Sequence, residues 1–202
     1  MAAVTIAPMQ AAVPRSSAFK VSVTAIGAAV LLGIMVGVLS THEELGDLVR
    51  IGTPWVTAAF ALGALVGWQT RAWTAGSTAI VASIAGVVCL TVANGIYYGI
   101  FDPLGMLGMF GGGFAQTFTV VGGIVGVAFG VGGSAWGRSR TSAGATLAVA
   151  ALAAVVMIDP LVTQALMGGR QFAPATIVVQ MLIGLSLPFL LLPRARRRGR
   201  HC

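Results

Sequence analysis

Apolar residues fall in six long runs, at roughly 21–40, 51–69, 76–101, 114–133, 142–158 and 175–192, separated by short polar or glycine-rich connections. Each run approaches the roughly 20 residues an α-helix needs to cross a hydrocarbon core about 30 Å thick. Strands of a β-barrel would be shorter and alternating, so the pattern predicts an all-α polytopic membrane bundle of six transmembrane helices. The first run, "VSVTAIGAAVLLGIMVGVLS", is too long for the apolar core of a cleaved signal, about 7–15 residues, and is read as a retained span. The predicted organisation is an N-terminal segment 1–20, a transmembrane domain 21–193 and a basic tail 194–202.

Composition agrees with this reading. With 57% hydrophobic and 8% charged residues, the chain lacks the polar surface a soluble domain requires. The net charge of +7 could suggest nucleic acid, but five of the twelve basic residues crowd into "RARRRGRHC" directly after an apolar run. That placement suits anionic membrane lipid, and the remaining cations lack the aromatic interleaving of a stacking platform, so no nucleic-acid partner is expected. Arg15, Lys20, Arg71, Arg138, Arg140 and the tail arginines fall on one side of the predicted bundle, leaving Arg50 and Arg170 on the other. The positive side faces the cytoplasm, which predicts cytoplasmic termini and a multi-pass protein of the cell membrane. Cys89, Cys202, His42 and His201 have no metal-ligand spacing, and no disulfide, metal or cofactor is expected.

All five acids, Glu43, Glu44, Asp47, Asp102 and Asp159, map to the side opposite the basic residues. Asp102 closes the third run and Asp159 the fifth, each followed by proline. An aspartate at a helix C-terminus meets the negative end of the macrodipole, so helix energetics alone do not select it there. Two readings stand: Asp-Pro opens an exposed turn, or the two acids mark a shared outward-facing site. The ligand-binding candidates are Asp102, Asp159, Arg170, Asn94, Tyr98 and Gln116, with Arg170 as the cation for an anionic ligand group. Tyr97 and Tyr98 also fit an interfacial aromatic belt, and adjacent helical residues point about 100° apart, so at most one of them easily faces a pocket.

Two further regularities concern architecture. "DPLGMLGMFGGGFA" from Asp102 and "DPLVTQALMGGRQFA" from Asp159 share Asp-Pro-Leu, a methionine and a Gly-Gly at matching offset, which suggests that spans three and four repeat as five and six. Gly122, Gly126 and Gly130 recur every fourth residue, with Gly33/Gly37 and Gly63/Gly67 as shorter pairs. Such faces let helix backbones approach closely, within the chain or against a second copy or a partner membrane subunit.

The segments "GTPWVTAAFALGALVG", "NGIYYGIF" and "VVGGIVGVAFGVGGSAWGRS" resemble an actinobacterial family of uncharacterised small six-span integral membrane proteins. In that family's pattern a glutamate commonly stands where this chain has Asn94, so an acidic role in the third span is not carried over. Six spans, a basic tail and the small-residue stretch "AIGAA", with Ala25 and Ala29, are similar to substrate-binding subunits of energy-coupling-factor vitamin transporters. That similarity is architectural.

Three functional readings follow. The first is a small-molecule ligand bound in an outward-facing pocket for transport, driven by a partner ATPase or a proton gradient. The second is an intramembrane enzyme resembling small polytopic terpene cyclases, with Asp159 or Asp102 as general acid. The third is a membrane scaffold or partner subunit without a ligand.

Overall fold

A computed structural model of the chain describes residues 15–42, 46, 52–101, 114–166 and 172–192. These form six helices: α1 (Arg15–Leu39), α2 (Thr53–Gln69), α3 (Ala75–Phe101), α4 (Phe114–Arg138), α5 (Ala143–Leu166) and α6 (Pro174–Leu191). Five of them contain segments long and apolar enough to cross a membrane: Phe19–Leu39, Ala75–Ile100, Thr119–Arg138, Ala143–Ala165 and Pro174–Leu191. The remaining helix, α2, has 17 residues, or about 25 Å of rise.

The bundle is apolar outside and small-featured inside. Large side chains such as Leu31, Ile80, Ile124, Leu147 and Phe189 point outward and are well exposed. In water such a surface would drive aggregation, whereas against lipid tails it carries no penalty. Along α1 the buried positions are Val21, Ala25, Ala29, Leu32 and Val36, a single stripe at helical spacing that faces the interior. It lies along α3, where a Cβ on Gly33 would come within 2.7 Å of the Ala93 carbonyl oxygen.

The tightest packing joins α4 to α2 and α3. Gly63 and Gly67 of α2 lie against the backbone of Gly130 and Ser134, and Gly133 and Gly137 of α4 lie against Phe60 and Ala64. On the other flank Gly126 meets Gly86, and a Cβ at Gly130 would sit 2.5 Å from the Ala82 carbonyl oxygen. The glycine faces of α2 and α4 are therefore occupied within the chain, where the absence of Cβ atoms yields the close backbone contact that holds helices together in lipid. Within the Gly122/Gly126/Gly130 series the first member differs, its nearest neighbour being Leu90 at 3.9 Å.

Two apolar clusters meet at α2. One joins Ala59, Leu62 and Val66 to the inner faces of α1 and α3. The other joins Val56 and Phe60 to Val149, Leu152 and Val156 of α5. Helices α5 and α6 pack mainly on each other, with Gly184 of α6 against Ala153 and Met157. Contacts of α5 with α4 and α2 then attach this hairpin to the α1–α4 body.

Polar groups bind the helix ends together at the end where α2 and α4 finish and α3 starts. The Arg138 guanidinium donates from Nη1 to the Thr78 hydroxyl at 2.8 Å and to the Thr70 carbonyl at 3.1 Å. The Thr70 and Thr78 hydroxyls are 3.0 Å apart, and both residues are fully buried. Arg71 donates from Nε and Nη2 to the Gly137 carbonyl, and the Trp136 indole N–H donates to the Leu191 carbonyl at 2.9 Å. Arg138→Met leaves a buried carbonyl and hydroxyl without their charged donor, a cost of about 1–3 kcal/mol. Thermal unfolding in detergent should show a lower midpoint for Arg138→Met and a smaller decrease for Arg138→Lys; equal midpoints would remove Arg138 from the structural network.

The α5 helix departs from the predicted boundary. It continues past Asp159-Pro160 to Leu166, two turns beyond the expected end near residue 158. Proline removes one helical N–H but leaves the downstream turns intact, and here its ring is fully buried. Asp159-Pro160 is thus neither an exposed turn nor a helix terminus.

Candidate functional site

The end opposite Arg138 carries the described acid and most of the site residues expected from sequence. Its centre is built on the first turn of α2, "GTPW", from Gly52 to Trp55. A helix start leaves its first backbone N–H groups without intrahelical partners. Pro54 has none to offer, and the N–H groups of Trp55 and Val56 reach the Gly52 carbonyl, each at 3.0 Å. The Thr53 N–H remains, and the Gly52 cap position has no side chain to serve it.

Asp159 fills that role from α5. Its Oδ2 accepts the Thr53 N–H and, at 2.8 Å, the Thr53 hydroxyl. Its Oδ1 accepts the Thr163 hydroxyl, one turn along α5, at 3.1 Å. Asp159, Thr53 and Thr163 are each 8% exposed. The carboxylate therefore sits at the positive end of the α2 dipole rather than facing the negative end of its own helix. Glycine at position 52 is required by this approach, since a Cβ there would lie 2.9 Å from Oδ1 and 3.4 Å from Cγ of Asp159. A carboxylate offers about four acceptor positions, and described residues take three of them, two on Oδ2 and one on Oδ1.

Two other polar groupings lie at this end. Asn94 of α3, buried, donates from Nδ2 to the Thr119 hydroxyl of α4 at 3.1 Å. Trp55, Tyr97 and Tyr98 form an aromatic chain, with ring centroids 6.1 Å apart for the first pair and 5.3 Å for the second, both edge to face. Tyr97 packs against the α1–α3 core cluster, and Tyr98 stands beside it, half-buried. Gln116 is exposed on the first turn of α4 and does not join the Asn94–Thr119 pair. Asp102 and Arg170 lie outside the described residues, as does the first copy of the suspected repeat.

Gln180 of α6 is a further polar group of the interior. It is 2% exposed on the buried stripe Thr176–Gln180–Gly184 of α6, and its Oε1 has no hydrogen-bond partner among the described residues. The spacing of four along an otherwise apolar helix is the signal that marks these three as one face.

Lipid-exposed apolar helices around a small-residue interior, with polar networks at the two ends, define a polytopic α-helical membrane protein. The chain belongs to a family of unknown function, DUF6518, whose model matches residues 12–201. A search of curated proteins and a search of solved structures return no match.

Proposed function

We propose that this protein crosses the membrane six times with both termini in the cytoplasm, and that it binds a small molecule at the acidic, outward-facing end for transport. The observation that carries the proposal is the buried Asp159 carboxylate, held by two helices that belong to differently packed parts of the bundle. A group that joins the α5–α6 hairpin to the start of α2, and that has one acceptor position not taken by a described residue, is placed to exchange a structural partner for a ligand donor. In this reading Asn94 and Tyr98 are further polar contacts for the ligand, and Asp102 and Arg170 are its charged ones. The arginines at the opposite end set the orientation, and α2, at 17 residues, lies at the short limit for a span.

The geometry gives the intramembrane cyclase reading no added support, because Asp159 meets hydrogen-bond donors on both oxygens instead of aiming a proton into an apolar chamber. The test is native mass spectrometry of the gently solubilised protein, comparing wild type with Asp159→Asn and Asn94→Ala. The expected result is a stoichiometric small-molecule adduct in wild type that Asp159→Asn diminishes about tenfold or more, the loss of one charge-assisted bond, and Asn94→Ala diminishes about fivefold, the loss of a neutral one. A wild type that carries lipid alone would favour the scaffold reading, and an adduct indifferent to both substitutions would place the ligand elsewhere.

A further inference from the structure

At the opposite end, beside the Arg138 bonds and sharing Arg71, Trp136 and Gly137 with the polar groups there, a cleft of ≈ 270 Å³ opens between α2 and α4. Its lining is Ala61, Ala64 and Leu65 below, Trp68 and Trp136 at mid-height, and Arg71 and Arg140 at the rim, beside Gly137. Along α2 the distance from Ala61 to Arg71 is about 15 Å, from well inside the apolar band to just past the helix end. Trp68 is 58% exposed one residue before that end, at the depth where tryptophan collects in membranes.

Both guanidiniums have donors to spare. Arg71 uses Nε and one Nη2 hydrogen on the Gly137 carbonyl, which fixes its plane, and its Nη1 meets no acceptor among the described residues. Arg140 stacks 4.4 Å from the centre of the Trp136 ring and forms no hydrogen bond with a described residue. Among the described residues the one acid is Asp159, at the far end of α2. Two cations face the cleft, and among the described residues no acid balances them there.

From this juxtaposition we infer that the cleft binds the phosphate of one anionic phospholipid, with a fatty-acyl chain running down the Ala61–Leu65 wall. Guanidinium forks match phosphate oxygens, and basic pockets between helices at the membrane surface hold acidic headgroups. The apolar floor selects a lipid over free phosphate, since the cleft continues into the bilayer-facing surface. The doubly cationic rim disfavours a headgroup that carries its own quaternary ammonium.

The experiment takes full-length protein from bilayers of equal phosphatidylglycerol and phosphatidylcholine and counts retained lipid by native mass spectrometry. One phosphatidylglycerol per chain, well above phosphatidylcholine, is expected for wild type. Arg140→Gln should lower that occupancy about fivefold, and Arg71→Gln with Arg140→Gln more than tenfold. Arg140→Gln breaks no hydrogen bond within the described residues and loses only its stacking on Trp136, so its unfolding midpoint should fall by no more than about 4 °C and separate lipid loss from misfolding. Equal retention of both lipids, or unchanged phosphatidylglycerol in Arg140→Gln, overturns the proposal. Displacement of the lipid by millimolar inorganic phosphate would also overturn it, in favour of a free-phosphate site.

Discussion

Replacing Gly133 by valine is expected to unfold the α2–α4 contact and to give the largest loss of stability of any single change considered. A Cβ at Gly133 falls inside the radius of the Phe60 carbonyl oxygen and lies 2.8 Å from the Ala64 nitrogen. These are backbone atoms of a neighbouring helix and cannot rotate away. Overpacking of a tight core costs about 1–3 kcal/mol, and a clash with backbone belongs at the upper limit. The midpoint of thermal unfolding in detergent should fall by roughly 6–12 °C, with loss of monodisperse protein on a sizing column. Gly123→Ala is the matched comparison on the same helix: nothing lies within 4 Å of its Cβ position. There the midpoint should hold or rise slightly, since alanine favours a helix over glycine by about 1 kcal/mol. Equal behaviour of the two variants would contradict the glycine-mediated contact.

Asp159→Ala carries the second large effect. It leaves the buried Thr53 N–H and hydroxyl without an acceptor and removes an anion from the α2 N-terminus. The expected loss is about 2–3 kcal/mol, combining a helix cap with a buried unsatisfied donor. Asp159→Asn keeps one carbonyl acceptor and should cost less, while Thr53→Val, which preserves the backbone N–H, should cost about 1 kcal/mol. Hydrogen exchange gives a local check, as the amide at Thr53 should exchange faster in Asp159→Ala than in wild type. If that amide exchanges equally in both, the carboxylate does not cap α2.

How far the sequence revealed this arrangement differs from residue to residue. Five of the helices were readable because crossing lipid demands a length and a polarity that they meet, and the i, i+4 glycines because close helix approach has few chemical solutions. Asp159 was conspicuous as an acid beside an apolar run, but its partner was not. Thr53 lies 106 residues away, and a cap borrowed from another helix leaves no local spacing to detect. The Asp-Pro pair pointed to a terminus because proline usually ends a helix, whereas burial of the Pro160 ring and the Asp159 bonds carry α5 through it. Arg138 was legible only as a topological charge. The threonines on either side of "RAWTAGS" held the clue to its bonding, since Thr70 and Thr78 bracket the short turn that the guanidinium closes.

The remote origin of the α2 cap also bears on biosynthesis. A chain made at about 5–20 residues per second completes "GTPW" and then waits roughly 5–20 s before Asp159 is synthesised. Throughout that interval the Thr53 N–H must find water, lipid headgroup or translocon in place of its final partner. The α5–α6 hairpin, made after α2, therefore completes the start of that earlier helix.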